Sequence, residues 1–181
     1  MNDRPRIRVA TAWLGGCSGC HMSFLDLDER LFELDKLVEF TASPITDVKD
    51  IPEVDVGIVE GAVCNDEQEH VLRTMRRQCK LLIALGDCAI TGNIPAIRNR
   101  FKLAEVVSRG YVETESSQIG EIPNDPGIPK LLHRVRPIQE IVRVDVHIPG
   151  CPPEADAIWH ALTELLAGRR PQWNETNMRY D

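Results

Sequence analysis

Residues 54–88 read VDVGIVEGAVCNDEQEHVLRTMRRQCKLLIALGDC. The two ends of this stretch, VDVGIVEG (54–61) and KLLIALG (80–86), are apolar nearly throughout, as parallel strands covered on both faces should be. Between them, NDEQEHVLRTMRRQ predicts a helix starting at Asn65. Asn65 and Gln68 fit a capping box, Asp66 and Glu67 occupy the first turn, and Arg76 and Arg77 sit near the last, where each charge suits the helix dipole. Strand, helix and strand in alternation build a doubly wound sheet. A cysteine follows each strand: Cys64 after the first and Cys88 after the second.

The same grammar extends outward. IRVATAW (7–13), KLVEFTA (36–42) and IVRVDVHIPG (141–150) read as further strands. In the last, Val142, Val144 and Val146 alternate with Arg143, Asp145 and His147, which suits an edge strand or one lying under polar contacts. HMSFLDLDERLF (21–32) predicts a helix burying Phe24, Leu27 and Leu31. A final helix is expected after CPP, with Pro153 in its first position, a stripe of Ala155, Ile158, Trp159, Leu162 and Leu166, and Gly168 as its stop. The expected fold is α/β: an open parallel sheet with helices on both faces, forming one domain over 1–168, with an irregular tail over 169–181. The turn-rich span 111–137 has no clear period and reads as a functional or partner-bound loop.

The length of 181 residues suits a single domain, and a net charge of −7 argues against a nucleic-acid surface. No apolar run approaches the roughly 20 residues needed to cross a bilayer, and MNDRPRIRVA lacks the apolar core of a secretory signal. A cytoplasmic protein with no membrane contact is expected.

Six cysteines are present: Cys17, Cys20, Cys64, Cys79, Cys88 and Cys151. In a cytosolic chain they point to metal or thiol chemistry before a disulfide framework. Five of them lie just past the carboxyl ends of predicted strands, an edge that open parallel sheets share and where ligands bind. A thioredoxin-like reading of WLGGCSGCHM (13–22) leaves Cys88 and Cys151 without a role. A structural zinc site usually draws on two close cysteine pairs, whereas here one pair meets distant singles. Four thiolates on three loops suit the separated corners of a [4Fe–4S] cube better, and Cys151 precedes proline as the last cysteine of bacterial ferredoxin runs does. On spacing alone Cys64 competes for a corner, while Cys79, at a helix–strand junction, reads as core filling.

At these residues the chain resembles the small subunit of nickel–iron hydrogenases of the soluble, NAD-reducing, bidirectional type. The matching elements are CSGCHMSFLDL (17–27), VEGAVCNDE (59–67), GDCAITGNIPAIRNR (86–100) and PGCPP (149–153). PGCPP is shared with the small subunit of respiratory complex I, which has adjacent cysteines where this chain separates Cys17 from Cys20 by two residues. The resemblance implies a flavodoxin-like domain with one [4Fe–4S] cluster at the carboxyl edge of the strands, held by Cys17, Cys20, Cys88 and Cys151, with Cys64 and Cys79 unbound. It implies a partner large subunit carrying the nickel–iron centre. It also implies a ferredoxin-like iron–sulfur subunit and a flavoprotein subunit, which carry FMN and bind NAD. No cysteine follows Cys151, so a single cluster is expected. No G-x-G-x-x-G follows a strand, so neither a dinucleotide site nor a catalytic residue is expected in the chain itself.

Four neighbours of the cysteines stand out. Glu60 ends a buried strand and must either accept loop N–H groups or face a partner; the resemblance adds proton movement. His21 follows Cys20 and is placed to donate to a sulfur or to line an interface. Asp87 precedes Cys88 and suits a loop cap. Trp13 reads as a water shield beside the cysteine loop. Arg98 and Arg100 suit interface ion pairs or an ordinary solvated face.

Overall fold

The computed structural model describes residues 5–46, 48, 50–175 and 177. Its elements are β1 (Ile7–Trp13), α1 (Gly19–Leu25), α2 (Arg30–Asp35), β2 (Val38–Ala42), β3 (Val54–Glu60), β4 (Val63–Asn65), α3 (Asp66–Gln78), β5 (Cys79–Leu85), α4 (Asp87–Thr91), α5 (Leu103–Tyr111), β6 (Leu131–Arg136), β7 (Val146–Ile148) and α6 (Ala155–Leu166). The main sheet has the order β2-β1-β3-β5-β7 and is parallel throughout. With only these strands counted, that is the 2-1-3-4-5 order of flavodoxin-like folds. The expected α/β architecture is the one the chain adopts.

Both faces of the sheet are apolar, and each has its own cover. Val9, Val38, Ile58, Ile83 and Leu85 pack against Leu34 of α2 and Ile158, Ala161 and Leu162 of α6. On the other face, Ala10, Ala12, Val59, Leu82 and Ala84 meet Leu72 and Met75 of α3. Each buried Leu or Ile contributes about 1.5–3 kcal/mol. Gly57 lets α3 come close: a Cβ there would lie 2.8 Å from Met75 Sδ and 3.1 Å from Cys79 Sγ. Cys79 itself opens β5 and is buried in this second core, at the amino end of the sheet.

The capping of α3 is close to that expected. Asn65 Oδ1 accepts the Gln68 N–H at 2.8 Å, and Gln68 Oε1 reaches back to the N–H of Cys64, one residue before the cap, at 2.8 Å. Such a cap is worth about 1 kcal/mol.

Four expectations need correction. The helix over 21–32 splits into α1 and α2, because Asp28 takes φ +51° and turns the chain. That turn lets Leu27 and Leu34 both reach the core, at 1% and 2% exposure. The strand over 141–150 shrinks to β7, which does lie at the sheet edge. Ile141, Val142 and Val144 pack against the second core instead, and Asp145 Oδ2 takes the Leu82 N–H at 2.9 Å in place of a ladder bond. The final helix begins at Ala155 with Glu154 at the cap, so Pro153 lies just outside it.

The fourth correction concerns the span 111–137, which is not all loop. Its end forms β6, antiparallel to β4. A 3₁₀ segment, Ile94–Arg100, supports β6 with side chains. Asn99 pairs with both the N–H and C=O of Val135, at 2.8 and 2.9 Å, as a neighbouring strand would. Arg98 donates to the carbonyls of Cys64 (3.1 Å) and Leu132 (2.9 Å), so it braces the fold internally.

In the tail, Trp173 packs on the first core and meets His160 edge-on at 5.9 Å. Residues 176 and 178–181 of the expected tail lie outside the described residues.

Asp145 ties three elements together. Its carboxylate also takes Arg76 of α3 at 2.6 Å. Burial opposes its ionisation, but the Leu82 N–H and the Arg76 guanidinium prevail and hold the carboxyl below the usual range. A lowered carboxyl stabilises the fold fully above the unfolded pKa, near 3.9, and loses that effect as pH falls through the folded value. Asp145→Ala should lower the unfolding free energy by about 2 kcal/mol at neutral pH, measured by urea titration. The gap from the parent should close below about pH 4.

Candidate functional site

The carboxyl ends of β1, β3, β5 and β7 continue into loops that are clipped to each other in pairs. Leu14 N–H donates to Glu60 O, and Gly15 and Ala62 exchange both backbone bonds, all three at 2.8 Å. On the other side, Gly86 N–H donates to Ile148 O at 2.8 Å, and Asp87 N–H donates to Gly150 O at 2.9 Å. The Asp87 carboxylate returns the contact by accepting the Gly150 N–H at 2.9 Å. The first clip fixes the loop bearing Cys17 and Cys20. The second fixes Cys88 against Cys151.

Cys20 links the two pairs. A Cβ on Gly86, where φ is +79°, would lie 2.2 Å from Cys20 Sγ, so only glycine leaves room for this thiol. Ser23 Oγ of α1 also donates to the Pro153 carbonyl, drawing the helix of Cys20 onto the loop of Cys151. Cys20 is buried, Cys88 partly so, and Cys17 and Cys151 are exposed. The Cys151–Pro152 bond is cis.

The electrostatics describe thiols crowded together beside a carboxylate. Burial pushes the Cys20 thiol far up, and the Glu60 carboxylate, Cys88, Cys17 and Cys151 push it further. Cys88 is raised by burial and then by Cys151, Cys17 and Glu60, against a lowering hydrogen bond from the Ile94 N–H. Sulfurs that raise one another in this way ionise together only around a strongly positive centre. Among the described residues, no group of three or more His, Cys, Asp or Glu is arranged to hold a metal ion.

Cys64 stands apart from this set. Its Sγ fills the space beside Gly15, where a Cβ would lie 2.3 Å away, and contacts the Ala62 carbonyl at 3.7 Å. Burial raises it and Arg98 lowers it, and none of the four site thiols acts on it.

Glu60 is 2% exposed and anchors the loop. Its Oε2 accepts the His21 backbone N–H at 2.7 Å and the His21 Nδ1–H at 2.6 Å. His21 therefore spends Nδ1 on Glu60, not on a sulfur. Trp13, 38% exposed, stands edge-on to His21 at 5.5 Å.

Sequence reasoning passed over Asn93 and Ser23. Asn93 Nδ2 donates to Cys151 Sγ at 3.2 Å, from a backbone at φ +35°. Its only signal was its place in GDCAITGN, six residues after Asp87. Ser18, between the two N-terminal cysteines, also has positive φ, at 64°. Strained non-glycine backbone thus gathers at this site.

The sequence family described as NADH ubiquinone oxidoreductase, 20 Kd subunit, matches residues 17–165, from the first site cysteine to the last helix. The chain belongs to this family. Within it, the likeness is to hydrogenase small subunits. The chain is 41% identical over 184 residues to the NAD-reducing hydrogenase HoxS subunit delta of Cupriavidus necator, covering 99% of this chain and 88% of that one. It is 33% identical over 186 residues to the iron-sulfur subunit of the F420-non-reducing hydrogenase of Archaeoglobus profundus, covering 91% of this chain and 57% of the relative. A crystal structure of an NAD⁺-reducing [NiFe]-hydrogenase in the H₂-reduced state contains a chain of the same shape. That chain matches at a TM-score of 0.94 and 47% identity, with coverage of 98% of this chain and 100% of the other. This family member is therefore a small subunit of the soluble NAD-reducing [NiFe]-hydrogenase type. Among the described residues, no helix is long and apolar enough to cross a membrane.

Removing Glu60 leaves two buried donors of His21 unpaired. Glu60→Ala should cost about 3 kcal/mol of stability, whereas Glu60→Gln, which keeps an acceptor, should cost about 1 kcal/mol. Chemical denaturation of the two variants checks the difference.

Proposed function

We propose that this chain is the electron-transfer small subunit of a cytoplasmic hydrogenase, with Cys17, Cys20, Cys88 and Cys151 holding one [4Fe–4S] cluster. Its domain covers 1–168 and its tail 169–181. The nickel–iron centre belongs to a partner large subunit. FMN and NAD belong to a flavoprotein that works with a ferredoxin-like iron–sulfur subunit. The overall reaction is H₂ + NAD⁺ → NADH + H⁺, and this chain carries the electrons between the two halves.

The observation that carries the reading is the meeting of four thiols, delivered by three loops and clipped at one sheet edge, of which Cys20 and Cys88 are raised by burial and by their neighbours. A single zinc ion would require all four sulfurs about 2.3 Å from one point. The spread corners of a cube place no such demand on ligands that arrive from separate loops. When bound, the cluster supplies reversible one-electron transfer.

The chain's own residues tune and shelter that site. Asn93 Nδ2–H and the Ile94 N–H donate toward Cys151 and Cys88, offsetting negative charge on the sulfurs. Glu60, fixed by His21, acts in the other direction and raises both Cys20 and Cys88. Cys20 faces the interior, while Cys17 and Cys151 lie at the exposed lip, where a partner subunit would exclude water.

Metal analysis and electron paramagnetic resonance of the anaerobically purified complex test the ligand set. Cys17→Ser or Cys88→Ser should remove or convert the reduced-cluster signal. Cys64→Ser and Cys79→Ser should keep four irons and four sulfides. One zinc and no iron in the parent chain would overturn the assignment. So would co-purification with a membrane quinone-linked assembly in place of a nickel-bearing large subunit.

A further inference from the structure

The turn that leads out of α4 holds a residue whose identity its backbone does not explain. Asn93 has φ +35°, directly after Gly92 at φ +85°, so two consecutive residues lie where glycine is the least costly choice. Gly92 has a steric reason to be glycine, since a Cβ there would lie 2.9 Å from Ala96 Cβ. The Asn93 backbone N–H donates to Thr91 Oγ1 at 3.3 Å, a turn contact open to any residue except proline. Only the side chain separates Asn93 from a second glycine. Among the described residues its one hydrogen-bond partner is Cys151 Sγ, 3.2 Å from Nδ2. A residue kept in a sparsely populated backbone region points to a functional demand. Here that demand comes from a sulfur.

We propose that Asn93 is a positioning residue that raises the reduction potential of the redox centre through its hydrogen bond to Cys151 Sγ. The proposal rests on the four-thiolate reading above. A ligating thiolate only accepts, so the amide must turn its N–H₂ end toward the sulfur, as it does. Each electron taken up adds one negative charge to the cluster and its sulfurs. A donor aimed at one of those sulfurs therefore stabilises the reduced form more than the oxidised one. The electron released by hydrogen oxidation in the large subunit is then taken up more readily, and it leaves for the iron–sulfur partner with correspondingly less drive. Asn93 is half-buried and Cys151 lies at the exposed lip. The bond thus gains weight when a docked partner excludes water and lowers the local dielectric. The Ile94 N–H, which donates toward Cys88 from the same turn, is backbone and survives most substitutions. Position 93 is where a change of side chain retunes the site.

Redox titration of the purified complex, followed by electron paramagnetic resonance, reads this potential. The signal that Cys17→Ser removes or converts identifies the cluster of this chain. Asn93→Gly keeps the turn and deletes the donor, while Asn93→Asp sets a carboxylate against the sulfur. Reduction should become about fivefold less favourable in Asn93→Gly, the effect of one ordinary net hydrogen bond. At 59 mV per tenfold for one electron, that is a fall of about 40 mV. Asn93→Asp should lower the potential further, and both variants should keep the parent's iron and sulfide content. A merely structural role would move stability and leave the potential alone. The proposal fails if the cluster is present in Asn93→Gly at the parent potential, if Asn93→Asp raises the potential, or if Asn93→Gly loses the cluster. A parent complex without the cluster overturns the four-thiolate reading first, and this proposal with it.

Discussion

Hydrogen bonds between loop backbones, more than side-chain packing, set the places of the four site sulfurs. Parallel strands bring their carboxyl ends to one edge at about 4.8 Å spacing, but a loop that leaves a strand soon loses that order. Here the order continues past the last ladder bond. Gly15 and Ala62 bind reciprocally on one side of the site, and Asp87 and Gly150 on the other. The bare Cα of Gly86 then lets Cys20 lie between the pairs. Without the clips little would hold the four sulfurs together, since the side-chain and backbone donors from Asn93 and Ile94 reach only Cys151 and Cys88.

The fold was legible where one interaction dominates. β3, α3 and β5 announce themselves because the strands are buried on both faces and the helix carries complete end signals. The cysteine positions followed, because a parallel sheet turns strand order into spatial proximity. Legibility failed where a side chain took over a backbone role. Asn99 stands in for a strand beside β6, and Asp145 replaces a ladder bond beside β7. Neither substitution leaves a periodic trace, so 111–137 read as loop and 141–150 as one long strand. A single left-handed residue, Asp28, divided an otherwise continuous helical pattern.

Of the residues singled out beside the cysteines, Asp87 and Glu60 proved to be anchors. Each carboxylate accepts loop N–H groups, which is what a buried or loop-capping acid at a strand end must do to be stable. For His21 the sequence left a sulfur contact and an interface place open; in the structure its Nδ1 goes to a buried carboxylate arriving from another strand. Such long-range pairing, across 39 positions, is beyond the reach of a motif.

Asn93 joins two demands in one residue. Its backbone sits at φ +35°, and its amide donates to Cys151 Sγ. Glycine would relieve the strain and lose the donor. Lysine would keep a donor but resist the left-handed turn, and aspartate would tolerate the turn while setting a second anion against the sulfur. Of these four residues, asparagine alone meets both the shape of the turn and the need of the sulfur.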